Sequence, residues 1–146
     1  MGNSMNPGDL VFIGMDQKKN PRTIFNAYND QGGITAKFNK NLLRRINTEL
    51  GADFDLDRFL HWEVYDPESG TAKSYLVSKE EHTVQIPNLD LQVTFKAWET
   101  IHTEISQKYD DEVVQWLMEQ ADLKILTEFS DAKNYYKNYI LTKESL

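Results

Sequence analysis

The sequence lacks cysteine, has few basic residues and contains no long apolar run. Without cysteine, thiol catalysis, iron–sulfur clusters, cysteine-ligated zinc and disulfide frameworks are excluded. The 16 Lys and Arg residues are outnumbered by 23 Asp and Glu, which gives a net charge of −7. An acidic surface repels phosphate backbones, so we expect no nucleic-acid partner. The longest apolar run, residues 10–15, is far shorter than the roughly 20 residues of a membrane-spanning helix, so we expect no membrane partner and a cytoplasmic location.

Catalytic motifs are equally scarce. No G-x-G-x-x-G, P-loop or G-x-S-x-G pattern occurs in the chain. The three histidines, His61, His82 and His102, have no metal-ligand spacing such as H-x-x-x-H. We therefore predict hydrogen-bonded or surface histidines and no metal site.

The first part of the chain predicts a strand followed by two helices. A chain of 146 residues can bury roughly 70% of the surface that its unfolded form exposes, which is enough for one unit, residues 1–146, with a core of its own. The unalternated apolar run at 10–13 predicts a strand buried on both faces, as in a parallel sheet. Asn20 and Pro21 predict a helix start, with Ile24, Phe25 and Tyr28 on one face.

The second helix is predicted to end at Gly51, a residue typical of the position after a helix. Its apolar residues recur at steps of three and four, which predicts one buried face. These residues are Ile34, Phe38, Leu42, Leu43, Ile46 and Leu50.

The rest of the chain changes to the period-two pattern of strands. Residues 61–104 alternate between apolar and polar side chains with turn signals between them, which predicts an antiparallel meander. Three acids at 110–112 predict a helix start, and 123–129 with 135–141 predict a closing pair of strands. The fold class is therefore α/β, or α+β as the chain stands.

One local pair could bind a ligand. Glu104 and Ser106 lie two residues apart on a predicted strand, so they share a face roughly 6.5–7 Å apart. A carboxylate and a hydroxyl at that spacing could hold the two nitrogens of an imidazole or of another small polar ring. The residues alone leave a second interpretation open, which is a polar strand face in solvent.

Several long segments resemble one family of enzymes. The matching segments are 9–16 (DLVFIGMD), 27–30 (AYND), 33–39 (GITAKFN), 41–47 (NLLRRIN), 49–54 (ELGADF) and 99–109 (ETIHTEISQKY). Together they are similar to the amino-acid α-N-methyltransferases that depend on S-adenosylmethionine (SAM). That family includes the histidine N-alpha-methyltransferase of ergothioneine biosynthesis and the fungal dimethylallyltryptophan N-methyltransferases. The resemblance extends from about residue 6 to residue 141.

The resemblance assigns substrate-binding roles to four residues. It implies that Tyr28 binds the substrate carboxylate and that Glu104 and Ser106 recognise the imidazole. A further pocket position, which carries methionine in the histidine enzymes, falls on Ser74, and this departure leaves the side-chain specificity open. The implied reaction is an in-line attack of the substrate α-amine on the methyl group of SAM, for which the protein supplies positioning and no nucleophile.

The resemblance also implies a domain division and a missing part. Residues 9–28 and 107–142 would be the last strands of a Rossmann-type methyltransferase sheet, and 29–106 a substrate-binding lobe of meander and helix. The glycine-rich loop that holds SAM would precede this chain, so we expect the C-terminal part of an enzyme, inactive by itself, with its cofactor-binding residues unknown. The alternative is a stand-alone amino-acid-binding or scaffold module. We also expect self-association through an exposed edge of the 10–13 strand.

Overall fold

The computed structural model describes residues 4–143 and contains three α-helices and eight strands in that range. In chain order they are β1 Leu10–Asp16, α1 Pro21–Tyr28, α2 Ile34–Leu50, β2 Phe59–Asp66, β3 Thr71–Ser78, β4 His82–Ile86, β5 Leu91–Phe95, β6 Thr100–Gln107, α3 Asp111–Gln120, β7 Leu123–Ser130 and β8 Tyr136–Lys143. The mixed α/β fold with antiparallel sheets confirms the predicted class.

Internal contacts divide the chain into two compact units. The first contains the chain up to Asn20, Pro67–Gly70 and the chain from Gln107 onward, and the second contains Pro21–Asp66 and Thr71–Ser106. This division differs from the predicted one in two places. Helix α1 belongs to the second unit because it packs against β2 and β3, and the turn Pro67–Gly70 belongs to the first because the carbonyl of Gly70 accepts a hydrogen bond of 2.7 Å from the backbone of Lys108.

The first unit is a three-stranded sheet in the order β1-β8-β7, in which both pairs are antiparallel. Val11, Ile13 and Met15 contribute to a core that also contains residues of α3, β7 and β8. The prediction that β1 is buried on both faces is wrong, because Leu10 and Phe12 are 64% and 68% exposed. Its only neighbour among the described strands is β8, which lies antiparallel to it, and its core residues alternate with exposed ones, as on a strand packed on one side.

Two predicted features of this unit are confirmed. The strands at 123–129 and 135–141 form the antiparallel pair β7 and β8. Helix α3 begins after Asp110, whose carboxylate accepts a hydrogen bond of 2.9 Å from the backbone of Val113, with Asp111 and Glu112 in the first turn. Acids at these positions stabilise a helix because they bind the free N–H groups and oppose the helix dipole.

The second unit places α1 and α2 against the sheet β2-β3-β6, with β4 and β5 as a separate hairpin. Two pairs of consecutive strands, β2 with β3 and β4 with β5, are antiparallel as the predicted meander requires. The prediction of a continuous meander is wrong. After β5 the chain returns to β3, because Ser78 bonds through its backbone to Trp98 and Glu99 at 2.7 and 2.8 Å, and β6 becomes the neighbour of β3.

Helix α2 ends at Gly51 as predicted, in a left-handed conformation (φ 68°), but its apolar residues do not form one buried face. Leu43 is buried, whereas Ile34 and Phe38 are 73% and 72% exposed. Successive steps of four residues rotate by about 40° around a helix, so these residues drift away from the core. The polar residue Asn39 is buried in their place.

Candidate functional site

Tyr28 and Ser106, two of the four predicted site residues, meet in the second unit. Tyr28 is the last residue of α1, and its hydroxyl donates a hydrogen bond of 2.6 Å to Oγ of Ser106 on β6. Both residues are half-buried, so the pair is held by surrounding structure and still touches solvent. Two hydroxyls at one point can donate to and accept from a small polar ligand.

Glu104 lies on an exposed stretch of β6 beside α2. It lines a cavity of about 250 Å³ together with Thr103 and five residues of α2, which are Phe38, Asn39, Asn41, Leu42 and Arg45. The cavity thus combines a carboxylate with an aromatic and an aliphatic wall. Such a combination suits a ligand with an N–H donor on a flat apolar body.

Ser74, the fourth predicted residue, is buried on β3 with 3% exposure. Its hydroxyl donates a hydrogen bond of 2.6 Å to Oε2 of Glu63, which lies opposite it on β2 and is 5% exposed. The carbonyl oxygen of Ser74 accepts a bond of 2.9 Å from Thr103. The position that carries methionine in the histidine enzymes, according to the resemblance, therefore holds a buried polar pair in this chain, beside the strand that carries Glu104.

Three residues around the pair were missed by the sequence analysis, namely Glu63, His61 and Asn39. His61 bonds to the backbone of Tyr28, and Asn39 bonds to His61, both at 2.9 Å. A signal for Asn39 was present, because it is a polar residue at a core position of an amphipathic helix. No comparable signal marks His61 or Glu63, since their partners come from distant parts of the chain.

The other two histidines lie against aromatic rings of the second unit. His82 is buried between the rings of Phe59 and Phe95, at centroid distances of 5.2 and 5.5 Å. His102 stacks on Tyr75 at 5.0 Å and lies 3.1 Å from the carbonyl oxygen of Glu104.

Between residues 4 and 143, no cluster of three or more His, Asp or Glu residues could hold a metal ion. Over the same range, no helix is long and apolar enough to cross a membrane.

Comparison with known proteins identifies the family. A family model described as histidine-specific, SAM-dependent methyltransferase matches residues 1–143. The chain belongs to this family. A histidine N-alpha-methyltransferase of Mycolicibacterium smegmatis is 36% identical over 124 residues, which are 85% of this chain and 39% of that protein. Another, from Mycobacterium tuberculosis, is 39% identical over 110 residues, or 75% of this chain and 34% of that protein.

A fungal relative covers nearly the whole chain. Ergothioneine biosynthesis protein 1 of Schizosaccharomyces pombe is 30% identical over 141 residues, which are 96% of this chain and 18% of that protein. This chain thus spans between about a fifth and two fifths of the length of these three relatives.

Gly14 and Gly33 do not provide a cradle for SAM. A glycine-rich cradle leaves room for a ligand where a side chain would stand, but the space at Gly14 is filled by the ring of Tyr136. At Gly33, the space for a side chain is open at the start of α2. There the backbone N–H groups of Ile34 and Thr35 already bond to the carboxylate of Asp30, at 2.9 and 2.8 Å. That helix start is therefore occupied by a carboxylate of the chain itself.

Proposed function

We propose that this chain is the amino-acid-binding part of a SAM-dependent methyltransferase that acts on the α-amine of histidine. Family membership and the names of the two mycobacterial relatives support the reaction class and the substrate. The observation that carries the proposal is the 2.6 Å hydrogen bond between Tyr28 and Ser106. It joins a residue that the resemblance assigns to the carboxylate with one that it assigns to the imidazole.

The hydrogen bond between Tyr28 and Ser106 is one that the substrate can replace. Without substrate, the hydroxyl of Tyr28 donates to Ser106. A substrate carboxylate is a stronger acceptor than a serine hydroxyl, because charged acceptors form shorter and stronger hydrogen bonds. Tyr28 therefore turns its donor to the carboxylate, and Ser106 is left to bond to the substrate side chain. Glu104, which is exposed in its cavity, accepts from an imidazole N–H.

The same proposal assigns SAM binding to residues outside this chain. The glycine positions described above are filled or capped by residues of the chain itself. The role of the described residues is then to bind and orient the amino acid, and we expect no methyl transfer by this chain alone.

Calorimetry tests both parts of the proposal. We expect L-histidine to bind to the isolated chain with one site, and SAM added alone to give no binding heat. Absence of histidine binding would contradict the substrate assignment. Tight binding of SAM by this chain would contradict the division of labour between this chain and a cofactor-binding part.

A chimera separates an enzyme part from a stand-alone binding module, an alternative that the family match does not favour. The chain replaces the 124-residue segment to which it is 36% identical in the M. smegmatis relative. We expect the chimera to methylate histidine. A chimera that is folded and binds histidine and SAM, but transfers no methyl group, would support the binding module.

We also propose that the exposed edge of β1 mediates self-association. Leu10 and Phe12 are more than 60% exposed, and β8 is the only described strand that pairs with β1. Exposed apolar edges favour pairing with another strand. Sedimentation velocity of the wild type should show dimers, and Phe12→Lys should abolish them, whereas Leu89→Lys, an exposed leucine of the other unit, should not. A wild-type monomer at all concentrations would contradict this proposal.

We propose the cytoplasm as the place of action. The proposed substrate, a small and soluble amino acid, supports this assignment. Fractionation of cells that express the tagged chain should recover it with cytoplasmic markers, and recovery with secreted proteins would contradict the assignment.

A further inference from the structure

A chain of hydrogen bonds links helix α2 to the end of helix α1 through a histidine of the sheet. Nδ2 of Asn39 lies 2.9 Å from Nδ1 of His61 and 3.2 Å from the carbonyl oxygen of Tyr75. Nε2 of His61 lies 2.9 Å from the carbonyl oxygen of Tyr28. Asn39 is 7% exposed, so its amide group has little access to water. A buried amide is costly unless its hydrogen bonds are made inside the protein.

The chemistry of these atoms fixes the direction of each bond. A carbonyl oxygen can only accept, so the Asn39 atom beside Tyr75 must be the NH₂ group. The same NH₂ group then donates to Nδ1 of His61, which must carry no proton. The proton of the neutral ring is therefore on Nε2, from which it is donated to the carbonyl oxygen of Tyr28. A protonated imidazole would turn an N–H group against the Asn39 NH₂ group and break the chain of bonds.

The last bond holds the part of α1 that carries the site residue. The carbonyl groups in the last turn of a helix have no partner within the helix. Tyr28 is the final residue of α1, and His61 supplies the partner for its carbonyl group. His61 lies on β2 and Ser106 on β6 of the same three-stranded sheet. The backbone of Tyr28 and the acceptor of its hydroxyl are thus both held by one sheet.

We propose that His61 and Asn39 are positioning residues for Tyr28, and that His61 acts as the neutral ring with its proton on Nε2. The inference rests on the proposed function, in which Tyr28 binds the substrate carboxylate. His61 touches the backbone of Tyr28, and Asn39 fixes the ring of His61. Loss of either residue weakens the restraint on the end of α1 and shifts the Tyr28 hydroxyl relative to Ser106.

Nitrogen NMR of the ring tests the inference without any ligand. In the wild-type chain labelled on histidine, we expect a pyridine-like Nδ1 and a pyrrole-like Nε2 for His61, with the signals assigned by their loss in His61→Gln. In Asn39→Ala the Nδ1 signal should shift because Nδ1 loses its donor, while Nε2 should stay pyrrole-like because the carbonyl oxygen of Tyr28 still accepts from it. A wild-type ring with its proton on Nδ1, or one that already averages, would overturn the proposal whether or not histidine binds.

A set of variants tests the effect on Tyr28. The tyrosine-ring signal of Tyr28 should shift in His61→Leu in the same direction as in Ser106→Ala. His61→Gln can place an amide N–H near the position of Nε2 and should retain most of the wild-type signal. Trp62→Leu, a neighbour on β2 with 58% exposure, is the matched control and should leave the signal unchanged. An unshifted Tyr28 signal in a folded His61→Leu protein would overturn the positioning role.

Histidine affinity provides the functional readout. We expect His61→Leu to weaken the binding of L-histidine by about three- to tenfold, the usual effect of one hydrogen bond. In a Tyr28→Phe background the same change should have little further effect, because residues that act through one group are not additive. Full additivity would mean that His61 acts independently of Tyr28. If the wild type binds no histidine, the proposed function fails while the ring measurements still decide the inference.

Discussion

The ammonium group of Lys108, a residue with only 2% exposure, lies 2.9 Å from a carboxylate oxygen of Asp16. Lys19 pairs with the other oxygen of Asp16. Partial burial raises the pKa of Asp16, but the hydrogen bonds from Lys19 and Lys108 outweigh this effect and leave the pKa below its usual value. The end of β1 is therefore held by a carboxylate between two cations.

Replacing this carboxylate should destabilise the first unit. In Asp16→Asn the buried Lys108 loses the charged oxygen that lies 2.9 Å from its ammonium group, so we expect the free energy of unfolding at pH 7 to fall by about 1.5–3 kcal/mol. Because the pKa is lowered in the folded state, the contribution of Asp16 is present above its unfolded value of 3.8 and is lost as the pH falls through the folded value. Urea unfolding should show a difference at pH 7 that shrinks below pH 4. Equal stability at pH 7 would contradict this account.

Asp30 should control the start of α2. Its carboxylate accepts hydrogen bonds from the backbone N–H groups of Thr35 and Ile34, which lower its pKa to about 2. The cap is therefore complete above the unfolded value of 3.8 and is lost as the pH falls towards 2. We expect Asp30→Ala to speed hydrogen exchange at the amides of Ile34 and Thr35. Asp90→Asn, an exposed control, should leave that exchange unchanged, and unchanged exchange in Asp30→Ala would exclude the cap.

A side chain at Gly14 should displace the ring of Tyr136. A Cβ atom at this position would overlap the hydroxyl and ring of Tyr136 on the neighbouring strand. We expect Gly14→Ala to lower the free energy of unfolding by about 1 kcal/mol or less, below the usual cost of overpacking, because Tyr136 is 45% exposed and its ring can turn away from the new methyl group. The double variant Gly14→Ala with Tyr136→Ser should recover part of this loss. An additive loss in the double variant would show that the clash is not the cause.

The buried pair Ser74 and Glu63 should contribute to stability. Ser74→Ala removes the hydroxyl that donates to the Glu63 carboxylate, so we expect a loss of about 1–3 kcal/mol in chemical unfolding. Thr83→Ala removes a hydroxyl that bonds to Thr94 on the exposed surface at 2.9 Å, and it should cost clearly less. Equal costs for the two variants would mean that burial adds nothing to the Ser74 bond.

Much of this architecture follows from local patterns in the sequence. The end of α2 was predictable because Gly51 is a local signal. The start of α3 was predictable because Asp110 and the acids after it are local signals as well. The return of β6 to β3 was not, because strand order depends on backbone bonds such as that between Ser78 and Glu99, which are distant in sequence. The exposure of Phe12 was missed because an apolar run does not show how many of its faces are covered.

The candidate site was only partly predictable for the same reason. Spacing alone suggested Glu104 and Ser106, and the resemblance added Tyr28. The partner of Tyr28 on the sheet, His61, lies 33 positions away, and nothing local to it indicates that contact.

The affinity of L-histidine for the Glu104→Gln and Tyr28→Phe variants of this chain, measured by calorimetry, tests the central claim most directly. Glu81→Gln and Tyr135→Phe, which change an exposed acid and a tyrosine of the other unit, are the matched controls. We predict that Glu104→Gln weakens binding by about five- to 150-fold, the effect of a lost charged acceptor, that Tyr28→Phe weakens it as well, and that both controls bind like the wild type. Wild-type affinity in both site variants would contradict the proposal that this chain binds the substrate.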